Sequence, residues 1–400
     1  MASQLPIADA WPIDNRLKTV SPAQATFHAY VHVPFCVVRC GYCDFNTYTA
    51  SEIGEVSQAK FHDHLIKEID FSAKVLKDSE LPQSAISTVF FGGGTPSLFT
   101  REQIAEILGS LRGQFGFTND CEITLEANPE GLTKDSIAGY KSAGVNRLSM
   151  GVQSFDPEVL KVLDRVHTTE KVVAASAWAR ELDLRLSVDL IYGAPGESLE
   201  SWVNTLRSAL DLQPEHVSAY SLIVEEGTAL ARRISRGEIG EVDEDLNAEK
   251  YLIADQMLSE AGLSNYEVSN WGEPSRHNVA YWLSQNWWGY GPGAHSHISG
   301  LRFWNHKHPA NYATKLQTGS PAHSIETLSE RQKLEERLLL ELRTSHGVER
   351  SLLSKLGVKP ELVANAIATG LLTIDANQVL RTTLNGRLLV DGLVLDFLTK

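Results

Sequence analysis

Six short β-rich runs alternate with helical stretches over the first half of this 400-residue chain, and that alternation restricts its fold more than any other feature. The runs are Phe27–Val33, Ile86–Phe91, Glu122–Ala127, Arg147–Val152, Leu184–Ile191 and His216–Leu222. Between them, Phe61–Leu76, Arg101–Leu111, Asp135–Ala143, Val172–Glu181 and Ser198–Leu210 carry apolar residues at helical spacing, as in Phe61, Leu65 and Ile69. Strands joined through helices cannot be hairpins. They form right-handed βαβ units and a parallel sheet. Six units suit an α/β fold, a partial (β/α)6 barrel; a doubly wound open sheet stays compatible, because periodicity does not dictate closure.

The rhythm divides the chain into an N-terminal arm (1–26), a barrel core (27–225), a Trp- and His-rich extension (226–324) and a C-terminal module (325–400). Glu226–Asp245 reads as a loop, a helix is expected over Ala248–Ala261, and Asn265–His308 reads as irregular structure lining a site. The last segment predicts three helices and a small hairpin, a winged-helix-like α+β domain. Such modules often bind DNA, but 36 Lys and Arg against 50 Asp and Glu leave a net charge of −14, which repels phosphate backbones. A protein-contact or structural role is expected instead, and nucleic acid is not expected as a partner. No apolar run is long enough for a membrane-spanning helix, and the polar, Pro-containing start does not read as a signal peptide. A cytoplasmic protein is expected, with transient membrane association and homodimerisation left open.

Three of the four cysteines fall within eight residues: Cys36, Cys40 and Cys43, spaced C-x3-C-x2-C directly after the first strand. Clustered thiols in a reducing compartment point to metal. Structural zinc wants four protein ligands, and no neighbouring fourth cysteine or paired histidine is in place. Three thiolates can hold three irons of a cubane cluster, leaving the fourth iron open to chelate a small molecule. Zinc and unrelated free thiols are the alternatives. Cys121 reads as an ordinary buried thiol.

Other candidates sit where a barrel builds its site, at the C-terminal ends of strands. Gly92-Gly93-Gly94-Thr95-Pro96 follows the second strand and offers close backbone approach to a ligand, without the Lys and Ser/Thr of a P-loop. Glu126, Gln153, Arg165 and Asp189 lie at or just beyond the ends of later strands and describe one polar rim.

The cysteine motif with Tyr42 before its last member resembles the signature of the radical S-adenosylmethionine (radical SAM) superfamily. YVHVPFC, FFGGGTPS, LEANPE, GVQSF, DLIYGAPGE and GPGAHS further resemble its HemN/HemW branch, which holds oxygen-independent coproporphyrinogen III decarboxylases and heme chaperones. The resemblance runs from about Tyr30 to the C-terminus. It implies a [4Fe-4S] cluster on Cys36, Cys40 and Cys43, and SAM contacts from Tyr30, Gly93 and Glu126. Tyr42, Gly94, Thr95, Gln153, Arg165 and Asp189 match positions that hold a second SAM in the decarboxylases.

Two features favour the chaperones. The decarboxylases carry a further cysteine two residues after the third, where this chain has Phe45. The chaperones have an H-N-x-x-Y element, matched by His277, Asn278 and Tyr281. Imidazole is a common heme ligand, and a helix would put His277 and Tyr281 on one face. Trp271, Trp282, Trp287, Trp288 and Tyr290 are candidate porphyrin walls, and Arg276 a candidate propionate partner. The bland alternative is a hydrogen-bonded histidine in a Trp-rich core. His295, His297, His306 and His308 compete as ligands, with His295 expected to support the barrel floor. The implied function is to bind heme and deliver it to apo-hemoproteins, with respiratory enzymes the expected clients and a heme donor protein left open as a further partner. The alternative is oxidative decarboxylation of coproporphyrinogen III.

Overall fold

All six expected strands are parallel neighbours in a computed structural model that describes residues 8–18, 26–53, 56–81 and 84–399. They are β1 (Phe27–Val33), β2 (Ile86–Gly93), β3 (Phe117–Ala127), β4 (Arg147–Gln153), β5 (Arg185–Tyr192) and β6 (His216–Ser221). The crossovers are α1 (Phe61–Asp78), α2 (Arg101–Phe115), α3 (Lys134–Ala143), α4 (Pro157–Val162), α5 (Thr169–Glu181) and α6 (Leu199–Asp211). Of the expected N-terminal arm, 1–26, residues 8–18 and 26 are described, and Asp9 pairs with Ile325. Side-chain caps set helix starts: Thr100 and Thr133 each close a reciprocal capping box, and Ser198 accepts from the Ser201 amide. The short α4, missed in the periodicity, starts on Asp156 followed by Pro157.

Alternation along each strand makes an inside and an outside. On β4, Leu148, Met150 and Val152 are fully buried on one face, while Arg147, Ser149, Gly151 and Gln153 line a central lumen on the other. Ser187, Asp189 and Ile191 on β5 repeat the pattern.

After β6 come α7 (Ala229–Ser235), within the stretch expected to be loop, α8 (Glu244–Glu260), β7 (Asn265–Glu267), β8 (Asn270–Gly272), α9 (Arg276–Trp282), β9 (Asn286–Tyr290), β10 (His295–Ile298), β11 (Leu301–Asn305), α10 (Pro309–Thr318) and β12 (Ala322–Thr327). The region expected to be irregular is therefore largely regular. It extends the sheet at both ends, in the order β12-β11-β10-β9-β1-β2-β3-β4-β5-β6-β8-β7. β9 joins β1 in parallel, whereas β8 joins β6 antiparallel, so β1 and β6 do not meet and the barrel is partial.

β12 crosses the division expected at 324/325, and its Ile325 packs in the large core. A second core, around Leu338, Leu353, Leu380 and Phe397, belongs to the C-terminal module. That module comprises α11 (Glu330–Glu341), β13 (Val348–Glu349), α12 (Arg350–Leu356), α13 (Pro360–Ala368), β14 (Leu372–Ile374), β15 (Val379–Thr382), α14 (Leu384–Leu388) and α15 (Val390–Thr399). Its sheet runs β13-β15-β14, a winged-helix-like arrangement. Ser345 N donates to Tyr266 O (2.9 Å) and Arg387 pairs with Asp255 (2.8 Å), tying it to the extension.

Candidate functional site

β1 delivers the cysteine loop to the mouth of the lumen. Cys36 N donates to Tyr48 O (3.0 Å) and Tyr48 N to Pro34 O (2.7 Å), clamping the loop at its base. Phe35 is buried and meets Phe61 of α1 edge-on at 4.9 Å. All three thiols are part-buried and border the cavity, and burial pushes those of Cys36 and Cys43 up. Thr95 Oγ1 donates to Cys36 Sγ (3.8 Å) and Arg165 Nη1 to Cys40 Sγ (3.5 Å), so two of the sulfurs face donors that stabilise a thiolate.

Gly94 is the hinge of this arrangement. Its amide donates to Val33 O (2.8 Å), and a Cβ here would lie 2.5 Å from Phe35 O and 3.0 Å from Cys36 Sγ. Only glycine lets the two loops touch. Among the described residues no three His, Cys, Asp or Glu side chains converge as ligands of a single ion would. Three soft thiols on one loop, facing a cavity, fit a four-iron cluster with one open corner. Cys121 lies buried on β3, and burial pushes its thiol up to about 12.

The lumen has a volume of about 530 Å³, and it is lined by the three cysteines, all nine residues expected to hold SAM, and His277, Asn278 and Tyr281. Near the mouth, Gly93 N donates to Glu126 Oε2 (3.2 Å). Burial, then the nearby Asp189, pushes the Glu126 carboxyl up to about 8. Burial also raises Asp189, opposed by hydroxyls of Ser218 (2.8 Å) and Ser149 (2.9 Å) that donate to it. Tyr30 bonds His32 Nδ1 through its hydroxyl (3.0 Å), and burial raises both Tyr30 and Tyr42. Gln153 ends β4 at φ 63°, a left-handed conformation costly for a side-chain-bearing residue and common at functional sites. Arg165 spends its Nη2 on Asn128 Oδ1 (3.0 Å) and Gly151 O (2.9 Å).

The far end is plugged by α9. His277 is 2% exposed and both its ring nitrogens are engaged: Nδ1 with Thr88 Oγ1 (2.6 Å) and Nε2 with the Tyr281 hydroxyl (2.9 Å). Thr88 also bonds His28 Nδ1 (2.8 Å), and His28 Nε2 meets Gln285 Oε1 (2.8 Å). Burial holds His277 well below the usual imidazole range, so it is neutral. Nε2 is open to another partner only after the Tyr281 hydroxyl leaves it.

The expected flanking groups lie elsewhere. Trp271, Trp288 and Tyr290 are buried in the core, Trp288 against Phe303 (4.9 Å) and Tyr290 hydrogen-bonded to Ser72 (3.1 Å). None of the five aromatic candidates lines the lumen. Arg276 pairs with Asp120 (2.9 Å), and His295, His297, His306 and His308 are also outside the lumen, so His277, not His295, supports the floor. Arg147, His216, Tyr266 and Asn270 complete the floor and were missed. For Arg147 and His216, alternation with outward apolar neighbours was the available signal.

Residues 30–209 match the Radical SAM superfamily. The chain is 42% identical over 374 residues to the heme chaperone HemW of Mycobacterium tuberculosis, covering 92% of this chain and 94% of that one. The chain belongs to the radical SAM superfamily, in its HemN/HemW branch. It is also 33% identical over 330 residues to HemW of Bacillus subtilis, covering 80% of this chain and 84% of the relative. A mitochondrial radical S-adenosyl methionine domain-containing protein of Mus musculus is 34% identical over 411 residues, covering 96% and 91%. In fold the chain is similar to coproporphyrinogen III oxidase (HemN) from Escherichia coli, with TM-score 0.80, 24% identity and coverage of 94% and 91%. Radical SAM membership implies a [4Fe-4S] cluster and SAM. Among the described residues no helix is long and apolar enough to cross a membrane.

Proposed function

We propose that the chain is a heme chaperone: it binds heme in or at the lumen and delivers it to apo-hemoproteins in the cytoplasm. The observation that carries this reading is the joint lining of one lumen by the three thiols, the SAM-type residues and His277-Asn278-Tyr281, with Phe45 at the mouth where the decarboxylases have cysteine. Cys36, Cys40 and Cys43 would hold the cluster. Tyr30, Gly93 and Glu126 would hold SAM, and Tyr42, Gly94, Thr95, Gln153, Arg165 and Asp189 would form a second nucleotide subsite. When bound, the cluster would serve as the one-electron reductant of the SAM sulfonium. The chain's own groups do the rest. Gly94 lets the loops close, Thr95 and Arg165 donate to sulfur, and Glu126 offers a buried carboxyl to an amine. His277 would offer Nε2 to iron once the Tyr281 hydroxyl moves aside.

Exposed apolar side chains at the mouth, Val38, Phe45, Tyr220 and Ile223, support entry of a flat apolar ligand. The test is heme titration of anaerobically reconstituted protein, followed by its Soret band. His277→Ala should weaken binding and shift the band; an unchanged band and affinity would remove His277 from the site.

The complete nucleotide rim favours one second reading, oxidative decarboxylation of coproporphyrinogen III. Incubation with that substrate, SAM and a reductant separates the two, and multiple turnovers to vinyl product would displace the chaperone reading.

A further inference from the structure

Arg147 opens β4 at the floor of the lumen, about 20 Å below Gln153 at about 3.3 Å per strand residue. It is 2% exposed and lines the cavity, yet its guanidinium makes no hydrogen bond to any described residue. Its one ion pair among the described residues is with Glu122 at 3.6 Å, a carboxylate shared with Arg185 at 3.4 Å. A guanidinium has five donors, and burying them without acceptors is costly.

Neighbouring polar groups at this level are already engaged with one another. Ser187 Oγ bonds His216 Nδ1 (2.7 Å), His216 Nε2 bonds the Tyr266 hydroxyl (2.9 Å), and Asn278 Nδ2 donates to that hydroxyl (3.3 Å). Burial and then Arg147 itself keep His216 well below the usual imidazole range, so it adds no second positive charge. Arg165 is the other lumen-lining cation among the described residues; it spends both Nη atoms on Asn128, Gly151 and Cys40 and keeps only its buried Nε unpartnered. A planar fork whose Nη donors are both free, as at Arg147, matches a carboxylate.

We infer that Arg147 forms a carboxylate-binding subsite at the lumen floor that takes a propionate of the bound tetrapyrrole. This rests on the heme-binding reading above. His277 N donates to Glu122 Oε1 (3.3 Å), so the same carboxylate ties the subsite to the candidate heme ligand.

The experiment compares heme with heme dimethyl ester, whose propionates are uncharged, on wild type, Arg147→Lys, Arg147→Gln and the Glu122→Gln/Arg147→Gln double variant. The double variant removes both partners and avoids an unpaired buried charge. Wild type should bind heme about tenfold or more tighter than the ester, the ratio expected for one charge-assisted hydrogen-bonded pair. That ratio should shrink in Arg147→Lys and approach one in the double variant. A wild-type ratio near one, or a ratio that persists in the folded double variant, overturns the subsite. SAM retention is measured alongside. Its loss in Arg147→Gln, with the ester ratio intact, would assign the carboxylate to the nucleotide and overturn the tetrapyrrole assignment. If wild type binds neither heme nor its ester, the heme reading itself fails.

Discussion

Adding one methyl group at Gly94 should cost the protein its cluster while leaving the fold in place. A Cβ there would stand 2.5 Å from Phe35 O and 3.0 Å from Cys36 Sγ. Separations under 3.0 Å are not tolerated, so Phe35 must retreat by at least about 0.5 Å, taking the cysteine loop with it. That retreat is opposed by two short bonds, Gly94 N to Val33 O and Thr95 N to Phe35 O, both 2.8 Å. Phe35 is itself wedged against Phe61. Overpacking of this kind costs about 1–3 kcal/mol. Charged against cluster binding, that lowers affinity by about 5- to 150-fold. Gly109→Ala is the control: Gly109 lies inside α2 with nothing within 4 Å of its would-be Cβ. Replacing it should stabilise the helix by about 0.5–1 kcal/mol and leave the cluster alone. The assay is iron and sulfide content per chain after anaerobic reconstitution, titrated against a chelator, with thermal melts in parallel. If Gly94→Ala holds its cluster as tightly as Gly109→Ala, the close approach of the two loops does not govern cluster binding.

Further outcomes follow from buried charge. Glu68 is fully buried, and although it accepts from Gly291 N (2.7 Å), Asn305 Nδ2 (2.7 Å) and the Tyr312 hydroxyl (2.6 Å), burial pushes its carboxyl up to about 7. Its folded value exceeds its unfolded one, so the stability it contributes is present below about pH 4.5 and is lost as pH rises through about 7, on the order of 3 kcal/mol in all. Denaturant melts from pH 4.5 to 8 should show this slope, and Glu68→Gln should flatten it; an unchanged slope refutes the assignment. Lys250 and Glu197 form a buried pair at 2.8 Å. Lys250→Met should destabilise by about 3–5 kcal/mol, and adding Glu197→Gln should recover most of the loss, checked by the same melts. Because Glu126 is raised to about 8, seating an ammonium group beside it should ionise the carboxyl and release a proton. Calorimetry of SAM binding in buffers of different ionisation enthalpy should detect that proton near pH 7, and Glu126→Gln should abolish it.

Much of the architecture is visible in one dimension because local physics writes it there. β1 to β6 alternate with amphipathic helices, and burial of one helix face needs no knowledge of the rest of the chain. The thiol trio and Gly93-Gly94 are local too, since their chemistry depends on spacing along one loop and on a missing Cβ. The Trp residues of the extension were misplaced for a different reason. Periodicity reports that a side chain wants burial, not against what, and Trp288 and Tyr290 found the core between β9 and its neighbours. Their strands are short, and β9 pairs with β1 across more than 250 intervening residues, a partnership no window of sequence can contain.

The lumen floor is the clearest product of folding. Composition and spacing dictate six parallel strands, a metal-binding loop and a glycine turn, because each follows from forces acting among residues close along the chain. The roles of His277, Arg147 and Glu122 depend on α9 closing the lumen opposite the cysteines. Whether a buried histidine keeps a free nitrogen, or a buried arginine keeps free donors, is settled by which partners distant segments bring within about 3 Å, since hydrogen bonds and desolvation act only at contact.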